Sequence, residues 1–329
     1  MGLCHLGMIE ALEKRGFRPD YVVGTSAGSL VGALYSHFGN VPGVCGRIES
    51  VLASDEFDMF ERKYFGKAQL LEGHVQRGIK HFFTVVSETL EKKPHHGISF
   101  AAAAMIAQKD VASLFTRIFD GITFDTLKIP FATVAVDLSD GVPVTFASEK
   151  QSGGQGFAWS VAGPEGLIKA VMASSAIPLL FPSVQLGGHL FVDGGVMTNL
   201  PVREARLLLP GHMLLLAGFD VSSPVVPNEN DPSTACALRL VDPPARKAQA
   251  AEEEMLDVLF RPVTDDSPRS SLSNYKELIE LGRLSMTKGC LDIFEKTYRD
   301  KCLAMVRSDK SPVRRIFASA RIRQLMPQP

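Results

Sequence analysis

Asp20-Tyr21-Val22-Val23-Gly24-Thr25-Ser26-Ala27-Gly28-Ser29-Leu30 joins two kinds of local pattern within eleven residues. A short β-branched run feeds a Gly-x-Ser-x-Gly turn, and Ala27 through Leu34 reads as the opening of a helix. Ser26 therefore falls on a strand-to-helix elbow. A serine is a poor nucleophile unless its oxygen is exposed, aligned and given an acceptor for its proton. The elbow supplies the exposure, while small residues at Gly24, Ala27 and Gly28 let the backbone turn sharply. The first-turn N-H groups of the following helix favour negative charge beside that oxygen. A lone elbow of this kind is also a common turn of α/β proteins, so a second group is needed to give it meaning.

Working outward, Leu3, Leu6, Ile9 and Leu12 recur at helical spacing and end at Arg15-Gly16, a basic last turn followed by a capping glycine. Helix, strand and helix in that order argue for a mostly parallel sheet covered by helices. From about residue 47 to 120 the sequence becomes helical, with scattered aromatics that include Phe57, Phe60, Tyr64, Phe65, Phe82 and Phe83. Strands resume at Phe131–Val136 and Val142–Phe146 around Ser139-Asp140-Gly141, a hairpin signal. A helix over Pro164–Ala173 leads to the strand His189–Val192. Another helix follows Pro201, then an apolar strand over Met213–Phe219. Ser223–Pro244 is rich in proline and reads as a linker, and the remainder reads as helical.

Composition narrows the function classes. The chain has 329 residues, 45% hydrophobic and 22% charged, which is ample for a substantial core. A net charge of -1 gives no electrostatic reason to bind nucleic acid. No apolar run approaches the roughly 18 residues of a membrane span, and no basic segment with an apolar core and cleavage site opens the sequence. The expectation is a soluble cytoplasmic chain. Five cysteines, at 4, 45, 236, 290 and 302, never form a C-x-x-C pair, so neither a disulfide framework nor a zinc site is expected. His95-His96 sits in a loop-like context without a further ligand at metal spacing; no metal is expected there.

The second group is Asp193, where the run Phe191-Val192 ends at Gly194-Gly195. The two glycines let a carboxylate approach another loop closely. Ser26 and Asp193 each follow a strand, and loops at the carboxyl ends of parallel strands meet at one edge of a sheet. An exposed aspartate is a weak base, so a histidine-free pair needs burial to raise its basicity. The rival is a serine, acid, histidine triad using Asp193 and His212, but His212 precedes its strand and lies at the wrong end for the site.

Three ordered motifs resemble those of patatin-like phospholipases: Gly24-Thr25-Ser26-Ala27-Gly28-Ser29; Ala173-Ser174-Ser175-Ala176-Ile177-Pro178 with Phe181-Pro182; and Val192-Asp193-Gly194-Gly195-Val196 with Asn199-Leu200-Pro201. Weaker echoes are Ile129-Pro130-Phe131 through Asp137, and Tyr275 through Gly282. The resemblance implies a three-layer α/β/α fold with a mostly parallel central sheet. It implies an acyl hydrolase domain over 1–290 with the helical insertion at 47–120, and leaves 291–329 as a basic helical tail. It further implies a Ser26–Asp193 dyad, Gly194 and Gly195 supporting the aspartate, ester bonds of phospholipids or lysophospholipids as substrate, and no metal or organic cofactor.

One departure stands beside it. The family usually carries a Gly-Gly-Gly-x-Arg/Lys-Gly loop after a first strand, whose N-H groups form the oxyanion hole. Gly2 stands as the final glycine of that loop and Met1 where the basic residue belongs. The retained Ser26 and Asp193 favour a start assigned too far downstream over a truncated isoform or a silent relative. Without the strand, a central sheet position is expected to be unfilled and the chain poorly stable. Gly2 and the N-H of Ala27 remain as oxyanion candidates.

Leu70-Leu71 and the insertion's aromatics could rim a lipid-facing site, or pack on the sheet as core residues, which is the commoner use. The tail Val313–Arg323 is basic and partly amphipathic, a candidate for peripheral contact with anionic membranes that also reads as an ordinary surface helix. A non-catalytic lipid-binding relative and a triad esterase are the alternatives to the hydrolase reading. Oligomeric state is not legible.

Overall fold

Phe131 through Asp137 is a run of seven buried residues, and such a strand needs cover on both faces and pairing on both edges. The computed structural model describes residues 2–64, 106–148, 158–161, 163–178, 180–209, 215–222, 247, 249–262 and 275–308, and this strand lies at its centre. Ahead of it come α1 (Cys4–Lys14), β1 (Val22–Thr25), α2 (Ala27–Phe38), α3 (Val41–Leu52), α4 (Asp55–Tyr64) and α5 (Gln108–Ile118). The run itself is β2 (Phe131–Asp137). After it come β3 (Val142–Ala147), β4 (Ala158–Ser160), α6 (Gly166–Ser174), β5 (Val184–Leu186), β6 (His189–Asp193) and α7 (Val202–Leu208). The chain continues through β7 (Ala217–Phe219), β8 (Val258–Phe260), α8 (Tyr275–Ser285) and α9 (Lys288–Ser308).

β2 has three partners, which two edges hold only if two of them share one. β3 pairs antiparallel along Ala132–Asp137. On the opposite edge β1 runs parallel, Val22 opposite Phe131 to Thr25 opposite Val134. β6 then takes over antiparallel, with Asp193 opposite Ala135 and Phe191 opposite Asp137. β1 and β6 thus run toward each other on a common track, and their carboxyl ends meet between Val134 and Ala135.

The sheet is accordingly mixed, which corrects the expected mostly parallel arrangement. β1–β2 and β3–β4 are parallel, whereas β2–β3, β2–β6 and β5–β6 are antiparallel. Short connections are the cause. The Leu138–Gly141 turn leaves room only for a hairpin, as its sequence signalled. Gly187-Gly188 makes a second one, with φ of 56° and 88° at the two central positions, the geometry of a two-residue hairpin that only glycine adopts readily. Helices lie on both sides of the sheet, as expected of the α/β/α class.

α2 stays next to its strand because it is rich in small residues and stops where the backbone must reverse. Gly39 takes φ of 73°, and Asn40 caps α3 by accepting from Gly43 N-H at 2.8 Å. The core joins α1, α2, α5, α8 and α9 around Phe131, Phe119 and Leu34, all at most 1% exposed; burying each such side chain contributes roughly 1.5–3 kcal/mol. Phe57 and Phe60, within the predicted insertion, are buried, so they pack inward rather than forming a lipid-facing rim. α9 runs through residue 290 and sets Phe294 edge-on to Phe17, with ring centroids 4.9 Å apart. Leu70, Leu71, Phe82, Phe83, His95, His96, His212, Ser223–Pro244 and the tail beyond 308 lie outside the described residues.

β7 and β8 form a separate parallel pair. Among the described residues, β1 pairs only with β2 and β7 only with β8. The stretches Pro19–Gly28 and Leu215–Ser222 line a common cavity of about 1000 Å³. Tyr21 Oη and Thr25 Oγ1, on the β1 side, are buried with no hydrogen-bond partner among the described residues.

Candidate active site

Ser26 ends β1 with φ of 54° and ψ of -124°, the one non-glycine residue with positive φ among those described. Such a conformation costs on the order of 1–3 kcal/mol and persists only where its surroundings hold it. Three serines and a threonine do so. The N-H of Ser26 donates to Ser174 Oγ at 3.0 Å and to the Ser174 carbonyl at 3.1 Å. Ser174, fully buried, passes its own hydrogen to the Val134 carbonyl at 2.6 Å. Ser175 Oγ donates to the Ser26 carbonyl at 3.3 Å, and Thr133 Oγ1 donates to the Gly24 carbonyl at 3.2 Å while meeting Ser29 Oγ at 2.6 Å. The Ala173–Pro178 motif thus braces the elbow, a role the sequence signalled by resemblance without explaining it.

The glycines of the elbow are not equivalent. A Cβ at Gly24 would stand 2.5 Å from the Gly28 carbonyl oxygen, so this position admits no side chain. At Gly28 the nearest atom would be His5 Cε1 at 3.9 Å, an ordinary contact. Gly2 packs against Ala27, where a Cβ would come within 2.6 Å of the Ala27 methyl. Ala27 opens α2, so its N-H has no acceptor within the helix.

Asp193 arrives from the other direction on β6. Ser26 Oγ donates to Asp193 Oδ2 at 2.6 Å, and Gly195 N-H donates to Asp193 Oδ1 at 2.7 Å. The close approach requires Gly194, where a Cβ would lie 2.4 Å from the Val134 carbonyl oxygen and 2.8 Å from Thr25 Cγ2. Asp193 is 3% exposed. Burial pushes its carboxyl up to about 6, against the two hydrogen bonds that favour the anion. The two groups meet, but not by the route expected from parallel strands: it is the opposed directions of β1 and β6 that bring the ends together. Serine is bonded here to a carboxylate, not to a histidine.

Two histidines nearby were not singled out in sequence. His5 Nδ1 lies 2.6 Å from the Gly2 carbonyl and Nε2 3.2 Å from the Phe219 carbonyl. Burial lowers its pKa, and a neutral imidazole has one N-H for these two acceptors. At the far end of β6, His189 Nδ1 lies 2.6 Å from Asp137 Oδ2. With Asp140 these two place ligand atoms within 4.8 Å of one another, the one such cluster among the described residues. Asp137 Oδ1 is already used by Ser139 N-H at 2.8 Å.

The cavity is lined in part by Ser26 and is largely apolar, with Ile9, Leu12, Val31, Leu200 and Leu215 among its walls. No helix of the described residues is long and apolar enough to cross a membrane.

The family model for patatin-like phospholipases matches residues 2–206. Lysophospholipase NTE1 of Candida glabrata is 25% identical over 206 residues, 62% of this chain and 9% of that protein. An uncharacterized NTE family protein of Mycobacterium tuberculosis is 26% identical over 201 residues, 61% of this chain and 41% of that one. The chain therefore spans well under half the length of these relatives. The crystal structure of VipD from Legionella pneumophila aligns over 98% of this chain and 72% of its own, with a TM-score of 0.40 and 12% identity, too distant to build on. A match that takes in both the elbow and the Asp193 turn, and covers more than half of the residues, places this chain in the patatin-like phospholipase family.

Proposed function

We propose that the chain is a serine acyl hydrolase that cleaves carboxylic ester bonds of phospholipids or lysophospholipids. The observation that carries this reading is the 2.6 Å bond from Ser26 Oγ to Asp193 Oδ2 at a strained elbow facing an apolar cavity. Ser26 gives its proton to Asp193 as its oxygen attacks the ester carbonyl. The carboxyl raised to about 6 is basic enough to accept that proton and acidic enough to return it to the leaving alcohol. Water then attacks the acyl-enzyme, passing its proton to Asp193, which hands it to Ser26 Oγ as the acyl bond breaks and the fatty acid leaves. The Ala27 N-H and the amino end of α2 are the oxyanion donors this reading assigns, with Gly2 packed beside them. The relatives named for lysophospholipase activity support the substrate class. Contact with the membrane that holds such lipids would be peripheral.

A fluorophosphonate probe and a short-chain p-nitrophenyl ester test the reading. Labelling and turnover lost in Ser26→Ala and in Asp193→Asn support it. A folded protein that binds lipid vesicles without either would be a lipid-binding relative instead. Loss of turnover in His212→Ala would point to the triad esterase.

A further inference from the structure

Residues beyond 206, the last position matched by the family model, reach back to the Asp193 turn. Gln249, 4% exposed, donates from Nε2 to Asp220 Oδ2 at 2.8 Å and to Glu253 Oε1 at 3.0 Å. Carboxylates only accept, so these two bonds fix which way the amide faces. Its oxygen is left toward Asn199, whose Nδ2 donates to it at 3.4 Å. That in turn fixes the Asn199 amide, and its Oδ1 rests against Gly195, 2.7 Å from where a Cβ would stand. Gly195 supplies the N-H on Asp193 Oδ1. Arg261 closes the far end, donating from Nε to Asp220 at 2.9 Å and pairing with Glu253.

We propose that Gln249 is a positioning residue, which through Asn199 keeps the Gly195 turn seated and its N-H on Asp193 Oδ1. Asp220 and Glu253 act by orienting Gln249, and Arg261 pairs with both carboxylates. None of these groups touches a reacting atom. The proposal rests on Asp193 being the base, as read above.

The test follows the Asp193 carboxyl directly, by 13C NMR of protein labelled at aspartate, with the signal assigned through Asp193→Asn. Gln249→Met keeps length and apolar bulk while removing both donors and the acceptor. Because the Gly195 bond opposes the effect of burial, loosening it should move the Asp193 midpoint upward by roughly half a unit and slow phosphonate labelling of Ser26 about twofold at pH 6. Asn199→Leu, at a half-buried position, removes the amide without adding a charge beside Asp193 and should do the same, and the double variant should be no worse than either alone. It also carries the test if Gln249→Met does not fold. An unmoved midpoint in either folded variant overturns the proposal. A moved midpoint in a protein whose Ser26 is never labelled would keep the positioning role and remove the hydrolase reading; labelling with an unmoved midpoint would do the reverse.

Discussion

Two aspartates lie close together on adjacent strands, equally hidden from water, and their carboxyls move in opposite directions. Asp137 on β2 is 1% exposed and Asp193 on β6 is 3% exposed. Burial pushes both upward. At Asp137 the Ser139 N-H and the His189 ring more than offset it and hold the carboxyl below its ordinary value. At Asp193 the only opposing groups are a neutral hydroxyl and a neutral N-H, so burial wins and the carboxyl rises to about 6. A buried carboxylate thus becomes a structural anion or a usable base according to the donors that stand beside it. β6 carries both outcomes, with His189 at its start and Asp193 at its end.

The comparison breaks first at the base. Asp193→Asn keeps the shape and removes the proton acceptor; ester turnover should fall by roughly three orders of magnitude or more, as should Ser26→Ala. Retained turnover in Asp193→Asn would show that the raised carboxyl is not the base. Next, Gly194→Ala drives a methyl into the Val134 carbonyl and Thr25. The β1 and β6 ends must separate, and a cost of about 3–4 kcal/mol in urea unfolding is expected, with Ser26 labelling lost.

A stability measurement sharpens the pH side. Asp193 holds a proton in the folded state between about pH 4 and 6 that the unfolded chain has already released. Its contribution to stability therefore falls as pH rises through that window, and by pH 7 it costs on the order of 3 kcal/mol. Asp193→Asn should be more stable than wild type at pH 7 and lose that advantage near pH 4. Asp137 has the opposite sign: its contribution is present above its unfolded pKa and disappears as pH falls through its depressed folded value. His189→Ala should cost about 1–3 kcal/mol at neutral pH, leaving the Asp193 midpoint unmoved. A moved midpoint would mean the two ends of β6 are coupled.

The smallest effect is expected at the brace. Ser174→Ala removes the Oγ acceptor for Ser26 N-H and the donor to Val134, at about 1–2 kcal/mol, and the phosphonate should label Ser26 several-fold more slowly. Unchanged labelling would show that the Ser174 carbonyl alone suffices to hold the elbow.

Much of this was legible in the residues themselves. Local pattern is enough for an elbow, because a β-branched run, a Gly-x-Ser-x-Gly turn and a small-residue helix follow one another within a few residues, and the helix Ala27–Phe38 lies where that pattern puts it. It is also enough for the β2–β3 hairpin and for the aspartate before two glycines. Gly187-Gly188 carried a readable turn signal that would have made β5–β6 antiparallel and exposed the mixed sheet. What no local pattern holds is the sharing of one edge of β2 by two strands running toward each other. Pairing partners along that edge are chosen by contacts between residues far apart in the chain, 109 positions for Val22 and Phe131 and 58 for Ala135 and Asp193, and Ser26 and Asp193 are 167 positions apart. The same holds for basicity: nothing in Asp193 or in Asp137 distinguishes the two carboxyls, and only the packing that gives the Ser139 N-H and His189 to one and the Ser26 hydroxyl and Gly195 N-H to the other sets them apart.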